Sequence, residues 1–202
     1  MTTNLANAVT TFLFNYMFMK YYEKSGVASI TIILYFQFII VTIFFGYSIG
    51  VAPIISYKYG EKNHSQLHEI LKYSLYFLTF SSVVMFGISV ITIKTCVITV
   101  YVPKYRCFNI SIGGFPLYAI SFIVIGFNIF ASTFFTALSV GKISAIISFL
   151  RTFLFLSSAI IILPMITVEK GIWLATTVPE LLGLGVSVYY LVKKRQKYGY
   201  WK

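Results

Sequence analysis

The sequence predicts an all-α integral membrane protein with six transmembrane helices, and three observations predict it. First, 58% of the 202 residues are hydrophobic and only 10% are charged, with a mean hydropathy of +0.86. A water-soluble domain carries about a quarter charged residues. This chain has too few to cover its apolar surface in water, a demand that lipid removes. Second, the charges divide the chain into apolar runs that reach the roughly 20 residues a helix needs to cross the hydrocarbon. Third, runs such as IILYFQFIIVTIFF lack the alternation of apolar and polar residues that barrel strands require. A helix satisfies its own backbone in lipid, so helices are the remaining solution.

Taken in order, the first span runs from about Leu5 to Tyr22, with Lys20 and Lys24 at its far end. The second is charge-free over Val27 to Tyr57, longer than a span needs, and Gly46, Gly50 and Pro53 predict that its end bends or frays. A polar loop follows. The third span runs over about 73–101, with Lys94 near enough to an end to snorkel. The fourth occupies 112–139 within the charge-free stretch from Cys107 to Gly141. The fifth, 143–168, contains Arg151, which is expected to snorkel toward the face that carries Lys142. The sixth, 171–192, contains Glu180. The whole chain reads as one membrane lobe, and its 20 Phe and 16 Tyr suit lipid contact and interfacial belts.

The net charge of +11 comes from 16 Lys and Arg against five Glu. These bases do not form one stripe on a polar domain, as a nucleic-acid binder would show; they sit between apolar runs, where anionic lipid is the expected partner. Six spans place Lys58, Lys62, Lys72, Lys142, Arg151, Lys193, Lys194, Arg195, Lys197 and Lys202 on one side. Lys20, Lys24, Lys94, Lys104, Arg106 and Lys170 fall on the other. The positive-inside rule then puts both termini in the cytoplasm. The N-terminus has no basic n-region and is a poor signal peptide.

Two cysteines, Cys96 and Cys107, are too few for a disulfide scaffold or a cysteine-rich metal site and read as free thiols. His64 and His68, four apart beside Glu61 and Glu69, have a spacing that can hold a metal on a helix. With no third ligand placed, they read as a solvated loop, and no metal site is assigned. No nucleophile elbow, phosphate-cradling loop or zinc-protease helix is present, so an enzyme is not expected. Neither a selectivity filter nor a charged ring marks a channel.

Polar groups inside the spans carry the functional signal, because hydrocarbon makes them costly. Asn4, Asn7, Thr11 and Asn15 share one face of the first span, and Ser121, Asn128, Ser132 and Thr136 form a similar stripe in the fourth. Trp173, Thr176, Glu180, Gly183 and Ser187 do so in the sixth. Such stripes either line a polar cavity or join packed helices by hydrogen bonds. Glu180 is the one acidic residue deep in a span, and Pro179 before it frees the carbonyl of Ala175. Two roles are open to it: an ionisable site for a cation or proton, or a structural partner for a base, with Arg151 the deepest base available.

Three strings resemble the multidrug and toxic compound extrusion (MATE) family: GVASITIILYFQFIIVTIFFGYSIGVAPIISYKYGEKN at 26–63, ALSVGKISAIISFLRTFLF at 137–155, and GIWLATTVPE at 171–180. The resemblance covers the chain but only the C-terminal half of the family. It implies one six-helix lobe of a twelve-helix, two-lobe transporter in a bacterial plasma membrane. That transporter would export amphipathic organic cations by alternating access, coupled to Na+ or H+ and needing no cofactor. The missing partner is then a six-helix N-terminal lobe or a second copy. Aromatic faces and a few polar groups would hold the cation, and Asn7, Thr11, Asn15, Gln37, Asn128 and Glu180 are the candidate lining residues. Some members carry acidic residues in the first and fourth spans of this lobe. Here those spans carry Asn and Ser instead, so no coupling site is carried over. The alternatives are half of a related lipid-linked saccharide flippase, which predicts a basic cavity, or a truncated fragment that does not transport.

Overall fold

The computed structural model describes the backbone of residues 2–100, 105–167 and 169–200, and within them the side chains of all but 2–7, 25, 93–100, 105–112 and 169. Asn7, Cys96 and Cys107 therefore lie outside the residues whose side chains are described. The described chain is helical apart from short turns. Helix α1 (Thr2–Gly60) is broken at Glu23, where φ is 57° and ψ is −152°. It is followed by α2 (His64–Val100) and α3 (Tyr105–Ala137). The next hydrophobic segment is α4 (Gly141–Phe149), a π-helical turn (Leu150–Phe155) and α5 (Leu156–Thr167). Helix α6 (Glu169–Tyr198) closes the chain. Five segments among the described residues are long and apolar enough to cross a membrane: Gly26–Gly60, His64–Thr92, Gly113–Ala137, Gly141–Thr167 and Lys170–Tyr198.

The turns show why the helices stop where they do. Between α1 and α2, Lys62 takes a positive φ of 57°, and Asn63 Oδ1 accepts the backbone N–H of Gln66 at 3.1 Å, capping α2. Lys58 Nζ donates to Glu61 at 2.9 Å and holds that carboxyl below the usual carboxylate range. Helix α3 ends on Ser139 in the left-handed region, φ 62°, while the N–H of Val140 returns to the carbonyl of Phe135. Gly199, φ 66°, ends α6 in the same way.

Two boundaries differ from those the charges suggest. Helix α1 neither breaks nor frays at Gly46, Gly50 or Pro53; Glu23 is its only non-helical residue. The Pro53 face is exposed, so the carbonyl freed four residues earlier is not trapped in the core. Neighbouring helices hold this stretch: Tyr47 OH donates to Ser74 Oγ of α2, and Ser56 Oγ donates to the carbonyl of Ala137 at the end of α3. Helix α2 starts at His64 rather than after Lys72, because the Asn63 cap lets the charged stretch continue as helix beyond the apolar run.

Helix α3 is the centre of the lobe. Two thirds of its apolar window is buried (67%), against 17% for α2 and for the α4–α5 segment. Helix α6 packs on one side of it and the second arm of α1 and α2 on the others. The first arm of α1 docks on α5 and α6: Phe18 meets Trp173 edge to face at 5.1 Å, Trp173 Nε1 donates to Tyr22 OH, and Tyr21 OH donates to the carbonyl of Pro164. Outward residues such as Tyr35, Phe38, Phe80, Ile91 and Met165 stay exposed, as a lipid-facing surface requires.

Candidate functional site

The deepest polar cluster joins α3, the π-helical turn and α6. Asn128, near the middle of α3, donates through Nδ2 to the Glu180 carbonyl at 2.9 Å and to Glu180 Oε2 at 2.7 Å. Its Oδ1 accepts the Ser187 hydroxyl at 3.1 Å. The Arg151 guanidinium approaches from the π-helical turn, with Nη1 3.4 Å from both carboxylate oxygens of Glu180. Asn128 and Ser187 are about fully buried, and Glu180 is 8% exposed. At Gly183, one turn beyond Glu180, an added Cβ would lie 3.1 Å from Arg151 Cγ and 3.2 Å from Asn128 Nδ2. A side chain at this position would crowd both groups where they reach the carboxylate.

Arg151 therefore does not snorkel; it turns inward to an opposite charge. In a medium of low dielectric an isolated carboxylate or guanidinium is far less stable than a hydrogen-bonded pair of net charge zero. The π-helical turn is the local device that presents it. A π turn adds one residue per turn and shifts which side chains face a neighbour.

The six candidate lining residues divide. Asn128 and Glu180 come together inside the lobe. Gln37 of α1 accepts a hydrogen bond from the buried Tyr118 OH of α3. Asn15 is half-buried on the first arm, and its Oδ1 has no hydrogen-bond partner among the described residues. Thr11 is exposed one turn earlier. Asn7 lies in the part whose side chains are not described. The stripe of α3 splits as well: Ser132 and Thr136 face α4, where Ser132 Oγ is 2.9 Å from Ser144 Oγ and 2.8 Å from Ser148 Oγ. Thr136 Oγ1 donates to Ser144 Oγ. These hydroxyls satisfy one another and join two helices.

Tyr118 had no signal in the sequence, because nothing in it shows that Gln37 faces α3. Arg151 had one. It lies about nine residues from Lys142, and Glu180 lies about thirteen from Lys193. On antiparallel neighbours that is an axial offset of about 6 Å at 1.5 Å per residue, within reach of an arginine stem.

No group of three or more His, Cys, Asp or Glu suited to an ion occurs among the described residues, which include His64 and His68. These two histidines belong to α2 rather than to a loop and hold the C-terminal residues. His68 Nδ1 donates to the Tyr200 carbonyl at 3.0 Å, and the His64 ring packs on Gly199.

The fold has solved counterparts. The chain superposes on a multidrug resistance MATE family transporter of the MOP superfamily, in an outward-facing conformation, with a TM-score of 0.86 and 14% identity. That match covers 98% of this chain and 44% of the other. A MOP superfamily transporter from Pyrococcus furiosus, described as having a binding pocket of reversed polarity, gives the same TM-score, identity and coverage. A MATE in complex with MaL6 matches at a TM-score of 0.87 and 14% identity, over 97% of this chain and 44% of that one. The chain thus spans less than half the length of these structures. No curated protein matches it. The profile of the MatE family matches residues 1–161. With the helical lobe around α3 agreeing with that match, the chain belongs to the MatE family.

Proposed function

We propose that this chain is the C-terminal six-helix half of a secondary active multidrug exporter, which moves amphipathic organic cations outward by alternating access in exchange for Na+ or H+. The observation that carries the reading is the coverage: nearly the whole chain superposes on less than half of a MATE family transporter. Alternating access requires a substrate site between two lobes that rock against each other. On this reading the first arm of α1 is the sixth span, both termini are cytoplasmic, and the second lobe lies on the same polypeptide or on another.

The Asn128–Glu180–Arg151 cluster has the role of a clamp. Glu180 is paired with a base and fully engaged by Asn128, so it stabilises the lobe as a rigid body rather than binding the transported cation. Substrate recognition then falls to the first arm of α1, where Thr11 is exposed and the half-buried Asn15 has a solvent-shielded Oδ1 with no hydrogen-bond partner among the described residues.

The test is gradient-driven transport by the two-lobe assembly in proteoliposomes, with ethidium as the probe cation. Ethidium should move against an inward Na+ or proton gradient, and Asn15→Ala should raise its KM several-fold. Transport that ignores both gradients would exclude an antiporter, and transport of lipid-linked saccharide in place of ethidium would support the flippase.

A further inference from the structure

Beside the clamp, the π-helical turn and α6 do not close on each other at the surface. They leave an open groove of about 430 Å³, within the range of roughly 300–1,000 Å³ that holds small ligands. Leu150 and Phe155 form one wall, and Leu182, Val186 and Tyr189 the other. Gly185 leaves the floor open, since a Cβ built there meets no atom within 4 Å. We propose that this groove binds an anionic phospholipid, with one acyl chain against the apolar walls and the headgroup at Lys193.

Three features of the molecule select that occupant. The groove lies within two segments apolar enough to cross a membrane, so acyl chains are the apolar material it meets. Its residues follow one face of α6 from Leu182 through Gly185 and Val186 to Tyr189, and one turn further that face carries Lys193. Lys193 Nζ donates to Tyr189 OH at 2.7 Å, which holds the ammonium at the end of the groove. The charge around it has one sign. Lys194, Arg195 and Lys197 follow on α6 and Lys142 stands at the start of α4, with no acidic residue in 141–155 or 181–200. Basic residues at a membrane surface favour anionic over zwitterionic lipid.

The same groove borders the π-helical turn that carries Arg151. A lipid seated there packs against the segment that presents the guanidinium to Glu180.

The test is native mass spectrometry of the detergent-solubilised chain, titrated with dioleoyl phosphatidylglycerol or dioleoyl phosphatidylcholine. The chain should retain phosphatidylglycerol in preference. Lys193→Gln, at an exposed position, should weaken phosphatidylglycerol retention roughly fivefold, the equivalent of about 1 kcal/mol for one base near an anionic surface, and leave phosphatidylcholine unchanged. Gly185→Phe should remove both adducts while circular dichroism shows unchanged helix content. Equal retention of the two lipids by the unmodified chain, or unaltered retention after Lys193→Gln, would overturn the proposal. So would a Gly185→Phe variant that keeps its lipid but loses a dimer, which would make a second copy the occupant.

Discussion

Asn128 makes three hydrogen bonds to α6, and both ends of its amide are engaged. Glu180 is held on one side by that amide and on the other by Arg151. Removing one charge leaves its partner in a site where the two side chains are only 13% and 11% exposed. Glu180→Gln is therefore expected to destabilise the lobe toward the lower end of the about 3–5 kcal/mol seen when a buried pair is broken. Arg151→Met with Glu180→Gln should be less destabilised than the sum of the single variants, because no charge is left alone. Equilibrium unfolding in detergent measures both, and additive losses would show that the pair is not coupled. At Gly183, an alanine meets Arg151 and Asn128 inside ordinary contact distance. Gly183→Leu should cost about 1–3 kcal/mol through overpacking, read in the same unfolding experiment. At this scale the sequence exposed the polar members, Asn128, Glu180 and Ser187, through helical spacing. It did not expose their pairing, since facing residues on different helices have no mark in a linear pattern. For Arg151 the sequence supports two readings, a snorkelling base and a partner for Glu180, and only the inward turn of the π-helical segment decides for the partner.

Among the elements, the C-terminal turn is the one whose contribution was hidden. Tyr200 follows the left-handed Gly199 and is completely buried, with its ring edge-on to Phe134 at 5.1 Å. Its hydroxyl donates to the Leu191 carbonyl and its own carbonyl accepts from His68. The tail thus ties α6 to α2 and α3. Tyr200→Phe should cost about 1 kcal/mol for the lost hydrogen bond, and Tyr200→Ala about 3–5 kcal/mol for the emptied site. Burial also raises the phenol pKa above that of the unfolded chain. The unfolded state then releases this proton first, so the phenol's contribution is intact below about pH 10 and declines as pH rises above it. Melting temperatures across that window should fall less steeply for Tyr200→Phe than for the unmodified chain; equal slopes would contradict the assignment. Apolar runs between charges made the long helices legible. The π-helical turn, the start of α2 at His64 and the tucked tail were not, because each depends on a cap, a left-handed residue or a tertiary contact rather than on hydropathy.

For the whole molecule, the buried share of α3 and α6 and the exposed aromatic and aliphatic residues of the other helices describe one lobe organised around α3, with lipid-facing surface outside. The distribution of bases predicts its orientation. Single cysteines at positions 64 and 198, placed in a background without Cys96 and Cys107, should resist impermeant thiol reagents in intact cells, and one at position 104 should react. Labelling at 198 from outside would reverse the orientation. On the proposed reading the lobe offers half of the two-sided cleft that alternating access requires. The most direct measurement is ethidium accumulation in cells lacking their own efflux pumps. The chain alone should reach the membrane and leave accumulation unchanged, and co-expression with a compatible six-helix N-terminal lobe should lower it. Efflux by the chain alone, with cross-linking showing a monomer, would contradict the account.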